Sequence, residues 1–211
     1  MLTKRRLQII LQKLKEMKVP KPELEQYTIP GNLAAEIINL AYVSGDLKGK
    51  TVLDLGCGTG RLSIGAALFG ARKVIGIDVD EKALEIAEEN LKLAEGLSGK
   101  RIKEKIRFLK KDVNDWKGKV DTVIQNPPFG IQRLHADRIF LIKAIESGKR
   151  IYSLHRSFKE SRKFIRRLVE KEGGKIERII KLKFRIPRMF QFHKKPSVEF
   201  DVDLFIISKN N

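Results

Sequence analysis

From residue 51 onward the chain alternates short apolar runs with longer segments of helical periodicity, and few folds satisfy that pattern. Residues 51–55, 73–78, 106–109, 120–124 and 150–154 read as strands. Residues 60–69, 81–94, 134–147 and 157–172 read as helices between or after them. Strands alternating with helices imply a parallel sheet covered on both faces. The end differs: residues 175–185 and 198–208 are two long strand-like runs flanking a Pro-containing segment. They predict an antiparallel addition at one edge. The expectation is an α/β fold with a seven-stranded, mostly parallel sheet, an antiparallel C-terminal strand and helices on both faces. Ahead of it, Leu7, Ile10, Leu11 and Leu14 fall at helical spacing and predict an amphipathic helix over 4–17. Pro20 and Pro22 end that helix, and a second is expected over 32–44. One domain over 1–211 is expected, with a basic helix and capping loop over 1–30 and the sheet core over 31–211.

Charge is distributed unevenly along this frame. Overall, 44 Lys and Arg stand against 26 Asp and Glu, a formal +18. Residues 1–22 carry +6 and residues 131–200 carry +13, whereas residues 51–95 carry −3. A heat-adapted composition explains abundant charge of both signs. It does not explain one sign concentrated in particular segments, which suits a polyanionic partner. A single cysteine, Cys57, excludes an internal disulfide framework and a multi-cysteine zinc site. With three histidines in the chain, no metal is expected. No apolar run is long enough to span a membrane, and residues 1–18 lack an apolar signal core. A cytoplasmic location is the expectation.

The first strand runs into Asp54-Leu-Gly56-Cys-Gly58-Thr59-Gly60 and then a helix. Glycines there let the backbone turn sharply and approach a ligand closely. The dinucleotide fingerprint would need a third glycine at position 61, where Arg61 stands. Asp54, Asp78 and Asp112 close or follow three consecutive strands. A carboxylate beside the glycine loop repels a pyrophosphate and welcomes an ammonium group. Asp78 can accept hydrogen bonds from ribose hydroxyls, and Asp112-Val113 can meet an adenine ring. The three acids suit a nucleoside with an amino-acid tail; the competing role for Asp54 and Asp112 is helix capping. Loop and acids together resemble the class I methyltransferases, which have a Rossmann-like core and bind S-adenosylmethionine.

The fourth strand leads into Asn126-Pro127-Pro128-Phe129-Gly130. Two prolines fix the backbone and remove two N–H donors, leaving carbonyls as rigid acceptors. The Asn126 side-chain oxygen and the Pro127 carbonyl can accept both hydrogens of a planar NH2 group, and Phe129 offers a face for a base to stack on. The motif resembles the enzymes that methylate adenine N6, cytosine N4 or a protein glutamine amide. Further along, Tyr152-Ser-Leu-His155 and Phe192-His-Lys-Lys195 recur with it, as does Gln26-Tyr27-Thr28 ahead of the core. The joint pattern resembles the archaeal and eukaryotic enzymes that form N6-methyladenosine in small-subunit ribosomal RNA.

That resemblance implies S-adenosylmethionine as donor, adenosine N6 as acceptor and ribosomal RNA as partner. Eukaryotic relatives of that kind also need a small zinc-binding activator protein, which makes one a candidate partner here. By position the resemblance assigns cofactor contacts to Gln26, Gly56, Thr59, Asp78, Asp112 and Val113, and Thr28, Asp54, Gly58 and Asn126 complete the expected cofactor set. The catalytic loop falls on Asn126, Pro127, Pro128 and Phe129. Ile29 stands where the eukaryotic pattern has Thr, so that contact comes from Thr28 or is absent. Aromatic and basic residues interleave at Phe192, His193, Lys194 and Lys195, which suits a flipped-out base and its phosphates. His155, expected just past the fifth strand, would line the same cleft. A core role competes for Phe190 and Phe192. Two functional readings compete: a glutamine-amide or DNA amino-group methyltransferase, and a non-catalytic RNA-binding assembly factor. Retention of Asn126 and Phe129 argues against the last.

Overall fold

The computed structural model describes residues 2–17, 21, 25–129, 136–187 and 197–209. Among these residues seven strands form one sheet: β1 (Thr51–Leu55), β2 (Lys73–Asp78), β3 (Ile106–Lys110), β4 (Val120–Gln125), β5 (Gly148–Arg156), β6 (Gly174–Pro187) and β7 (Ser197–Lys209). Their order is β3-β2-β1-β4-β5-β7-β6. The first five pair in parallel, and β7 lies antiparallel between β5 and β6. The expected sheet is present, and its one reversed strand is the last in sequence.

Residues of the central strands β1, β2 and β4 are buried on both sides, which is why these strands lack apolar–polar alternation. Val52, Val74 and Ile124 pack on one face under α1 (Lys4–Gln12), α2 (Gly31–Val43), α3 (Arg61–Leu68) and α4 (Glu81–Ser98). Leu53, Ile75, Val123 and Ile151 pack on the other under α5 (Ala136–Ser147) and α6 (Lys159–Lys171).

Three of the helix boundaries that differ from expectation have a visible local reason. α1 stops at Gln12 rather than 17. Beyond it the Lys15 N–H donates to Asn90 Oδ1 at 2.7 Å, and the Leu14 carbonyl accepts from Arg61 Nη2 at 3.0 Å. Those partners replace the next helical turn. α4 continues to Ser98 until Gly99, at φ +69, turns the chain and donates its N–H to the Glu95 carbonyl. α6 starts at Lys159 because Phe158 is extended and the Ser157 N–H belongs to the Asp201 carbonyl.

Strand order reverses between β1 and β4, and an open parallel sheet binds ligands in the crevice beyond that point. Among the described residues no helix is long and apolar enough to cross a membrane. Nor do three or more His, Cys, Asp or Glu side chains gather where they could hold a metal.

Candidate functional site

A cavity of about 550 Å³ occupies that crevice, a volume in the range of small-molecule sites. The carboxyl ends of β1, β2 and β4 form its floor, and residues 25–29 contribute to its wall. Gly56 turns the chain out of β1 at φ +67, and a Cβ there would come within 2.8 Å of the Phe140 ring. Gly60, at φ +79, caps α3 in the left-handed conformation that glycine adopts without strain.

Asp54 is almost fully buried at the end of β1. Its Oδ2 accepts the Ser63 hydroxyl at 2.6 Å, while Oδ1 has no partner among the described residues. Burial pushes this carboxyl from its ordinary 3.8 up to about 7, against the downward pull of Ser63. It caps no helix. An unpartnered buried carboxylate oxygen at a cavity wall fits a cationic ligand group. Asp78 accepts the Gly58 N–H at 2.8 Å and the Asp80 N–H at 2.9 Å, so it also fixes the glycine loop. Burial raises its pKa. Asp112 accepts the Asn114 N–H and caps a short 3₁₀ turn, as the capping alternative expected. It lines the cavity as well, beside Val113 and Thr59. Cys57 is buried, and burial together with Asp54 and Asp78 pushes its thiol well up, so it is no nucleophile.

Gln26 and Thr28 line the cavity. The Gln26 amide is already engaged: Nε2 donates to Asp80 Oδ2 at 2.6 Å, and Oε1 accepts the Lys21 N–H. Its visible work is to tie the N-terminal segment to the end of β2. Ile29 is buried and lines the cavity beside Thr28, offering an apolar side chain where the hydroxyl would stand.

Asn126 follows β4. Its Nδ2 donates to the Tyr27 carbonyl at 3.2 Å, and its Oδ1 is buried without a partner among the described residues. Asn126 and Pro128 line the cavity; Pro127 is buried beside them. The Phe129 ring is half-buried and meets Phe184 and Phe200 edge to face, at 5.8 and 5.9 Å between centroids. Phe129 is thus braced by β6 and β7 and is not among the cavity-lining residues.

One expectation is corrected. His155 does not follow the fifth strand; it lies inside β5 and is 2% exposed. Its Nε2 lies 2.7 Å from Ser153 Oγ, and its ring packs edge-on against Phe205. Burial pushes it down to about 4, so it is a neutral core residue rather than part of the cleft wall. Phe192, His193, Lys194 and Lys195 lie outside the described residues.

Two residues that sequence reasoning passed over hold the site together. Arg61, 2% exposed, donates to the carbonyls of Ile29 at 2.5 Å and Leu14 at 3.0 Å, and pairs with Glu16. Its place in the missing glycine position was the available signal. Glu25 is the single non-glycine residue with positive φ, +47, among the described residues. Its Oε2 accepts the Phe129 N–H at 2.7 Å. Pro127 and Pro128 have no N–H, so this is the first donor after Asn126 by which the loop can be tied down.

The family model of ribosomal protein L11 methyltransferase (PrmA) matches residues 37–128. The chain is 36% identical over 204 residues to the rRNA N(6)-adenosine-methyltransferase METTL5 of Danio rerio, covering 93% of this chain and 94% of that protein. A crystal structure of a candidate RNA methyltransferase from Pyrococcus horikoshii superposes over all of both chains with TM-score 0.90 at 44% identity. The fold recurs at 22% identity in the magnesium protoporphyrin IX methyltransferase of Synechocystis with bound SAM. There the TM-score is 0.64, over 84% of this chain and 78% of that one.

Proposed function

The chain belongs to the rRNA N(6)-adenosine-methyltransferase family, and from that premise we propose how it acts. It is an enzyme that transfers a methyl group from S-adenosylmethionine to N6 of adenosine in ribosomal RNA. When bound, the donor supplies a methyl group on a positively charged sulfur that leaves as a neutral thioether. Asp54 Oδ1 would receive the donor's ammonium group. Asp78, after holding the glycine loop, keeps lone pairs for the ribose hydroxyls. Asp112 and Val113 would meet the adenine.

The observation that carries the acceptor assignment is Asn126 Oδ1. It is a buried acceptor left open at the cavity while the other end of its amide is fixed by Tyr27. With the Pro127 carbonyl it can take both N6 hydrogens. That aims the nitrogen lone pair at the methyl group and favours the change from planar to tetrahedral nitrogen. A neutral amine needs no base before it attacks; the proton leaves to water afterwards. Positioning and electrostatics supply the catalysis. The resemblance assigns the small-subunit RNA as acceptor. It also carries a small zinc-binding activator, for which the five-residue edge strand β3 offers a free side able to take a partner strand.

The test is labelled-methyl transfer from S-adenosylmethionine to ribosomal RNA, to DNA and to protein, with nucleoside mass spectrometry of the RNA. N6-methyladenosine is the expected product. Label in a protein glutamine and none in RNA would sink the reading.

A further inference from the structure

We propose that Arg156 and Phe158 form a subsite for a nucleotide flanking the target adenosine in single-stranded RNA. The neighbouring base stacks on the Phe158 ring, and the Arg156 guanidinium meets a phosphate. The subsite rests on the RNA-methylating reading and adds a place where the strand is held.

The observations begin at the catalytic loop. Phe129 meets Phe184 and Phe200, and these two stack face to face with an interplanar angle of 6°. The Arg156 guanidinium carbon lies 4.0 Å from the Phe200 ring centroid and 5.3 Å from that of Phe158. A continuous row of π faces and one cation therefore runs from the loop outward. It ends on Phe158, which is 54% exposed, the second most exposed large apolar side chain among the described residues. Phe158 makes no side-chain cap bond to the helix it precedes. Its exposure serves no visible structural purpose.

Arg156 ends β5, on the same side of the sheet as the carboxyl ends that floor the cavity. It has no carboxylate within ion-pair distance among the described residues. Its electrostatic partner is the Tyr27 hydroxyl, on a residue that lines the cavity. A guanidinium stacked on rings keeps its in-plane N–H donors available for a phosphate. The helix that follows exposes Lys159, Lys163, Arg166 and Arg167. An exposed ring beside free cations suits a nucleic-acid strand, since every base has a π face and every linkage an anion. An apolar protein surface would have to desolvate those charges.

The test uses the whole chain with S-adenosylhomocysteine and a fluorescent single-stranded oligoadenylate, read by anisotropy. Phe158→Ala should weaken binding about tenfold, within the range for losing one stacked base, and Phe158→Tyr should restore it. An abasic nucleotide at one position should cost the wild type a similar factor and cost Phe158→Ala little more. Arg156→Gln should lower the salt dependence by about the share of one phosphate, whereas Phe158→Ala should leave it unchanged. Phe158 is exposed, so its replacement should leave the fold and its melting temperature intact. Unchanged affinity in Phe158→Ala, or losses that simply add, would overturn the subsite. Methyl transfer to ribosomal RNA is followed alongside. Its absence in the wild type removes the underlying function, whereas intact transfer with unaltered binding removes only the subsite.

Discussion

Single residues divide the chemistry between two unpartnered oxygens. Asn126→Ala removes the acceptor that orients N6, and the rate should fall about 10²- to 10³-fold while donor affinity stays near that of the wild type. Single-turnover kinetics beside calorimetry would separate the two, and an unchanged rate would take Asn126 out of the mechanism. Asp54 predicts a pH dependence. In the free protein its carboxyl keeps a proton up to about pH 7. An ammonium group at Oδ1 favours the carboxylate, so donor binding below that pH should release a proton. Affinity should then rise with pH, by at most about tenfold per unit, and level off above about 7. Calorimetry in buffers of different ionisation enthalpy measures the proton, and Asp54→Asn should abolish the trend. Stability moves the other way. The folded chain holds this proton while the unfolded chain loses it above about 4, so between those values the contribution falls as pH rises. The positions of Asp54, Asp78, Asp112 and Asn126 were legible because each sits at a strand end, where the fold puts ligands. The engagement of Phe129 by Phe184 and Phe200 was not, because it depends on strands far along the chain.

Elements show where local pattern governs and where it yields. The strand–helix frame was legible because apolar periodicity is set by burial on two faces. The end of α1 was not, because Arg61 competes for the Leu14 carbonyl from 47 positions away. His155 was misplaced for a related reason: β5 runs on to Arg156 because β7 pairs with it as far as Val202. The same Arg61 fastens the wall of the cavity, holding the segment after α1 and the Ile29 carbonyl against the start of α3. Arg61→Leu should release that wall. Amides of residues 14–17 and 25–29 should exchange faster with deuterium, and donor affinity should fall about tenfold or more. The leucine would leave buried carbonyls unpaired, at roughly 1–3 kcal/mol each. Exchange unchanged in those residues would mean that the wall is held by other contacts.

At the scale of the whole molecule, the charge found in the sequence acquires a partial location. Within the basic C-terminal third, Arg162 is not free for RNA. Its guanidinium forms a two-pronged pair with the fully buried Asp203, at 2.6 and 2.7 Å. Arg166 and Arg167 are exposed. Arg166→Glu with Arg167→Glu should weaken RNA binding and flatten its salt dependence by about one unit of slope for each phosphate no longer neutralised. Binding measured across a salt series decides it, and indifference would put the strand on another face. The position of β7 has a consequence for synthesis. A chain leaving the ribosome can complete β1 to β4, and with them the donor half, while much of it is still unmade. β6 has no neighbour in the sheet until β7 enters between it and β5. Phe200 rides on β7 and Phe184 on β6, so the brace behind Phe129 is set only when the final strand is in place. The donor pocket can thus be made early in synthesis, and the acceptor loop is finished only once β7 has entered the sheet.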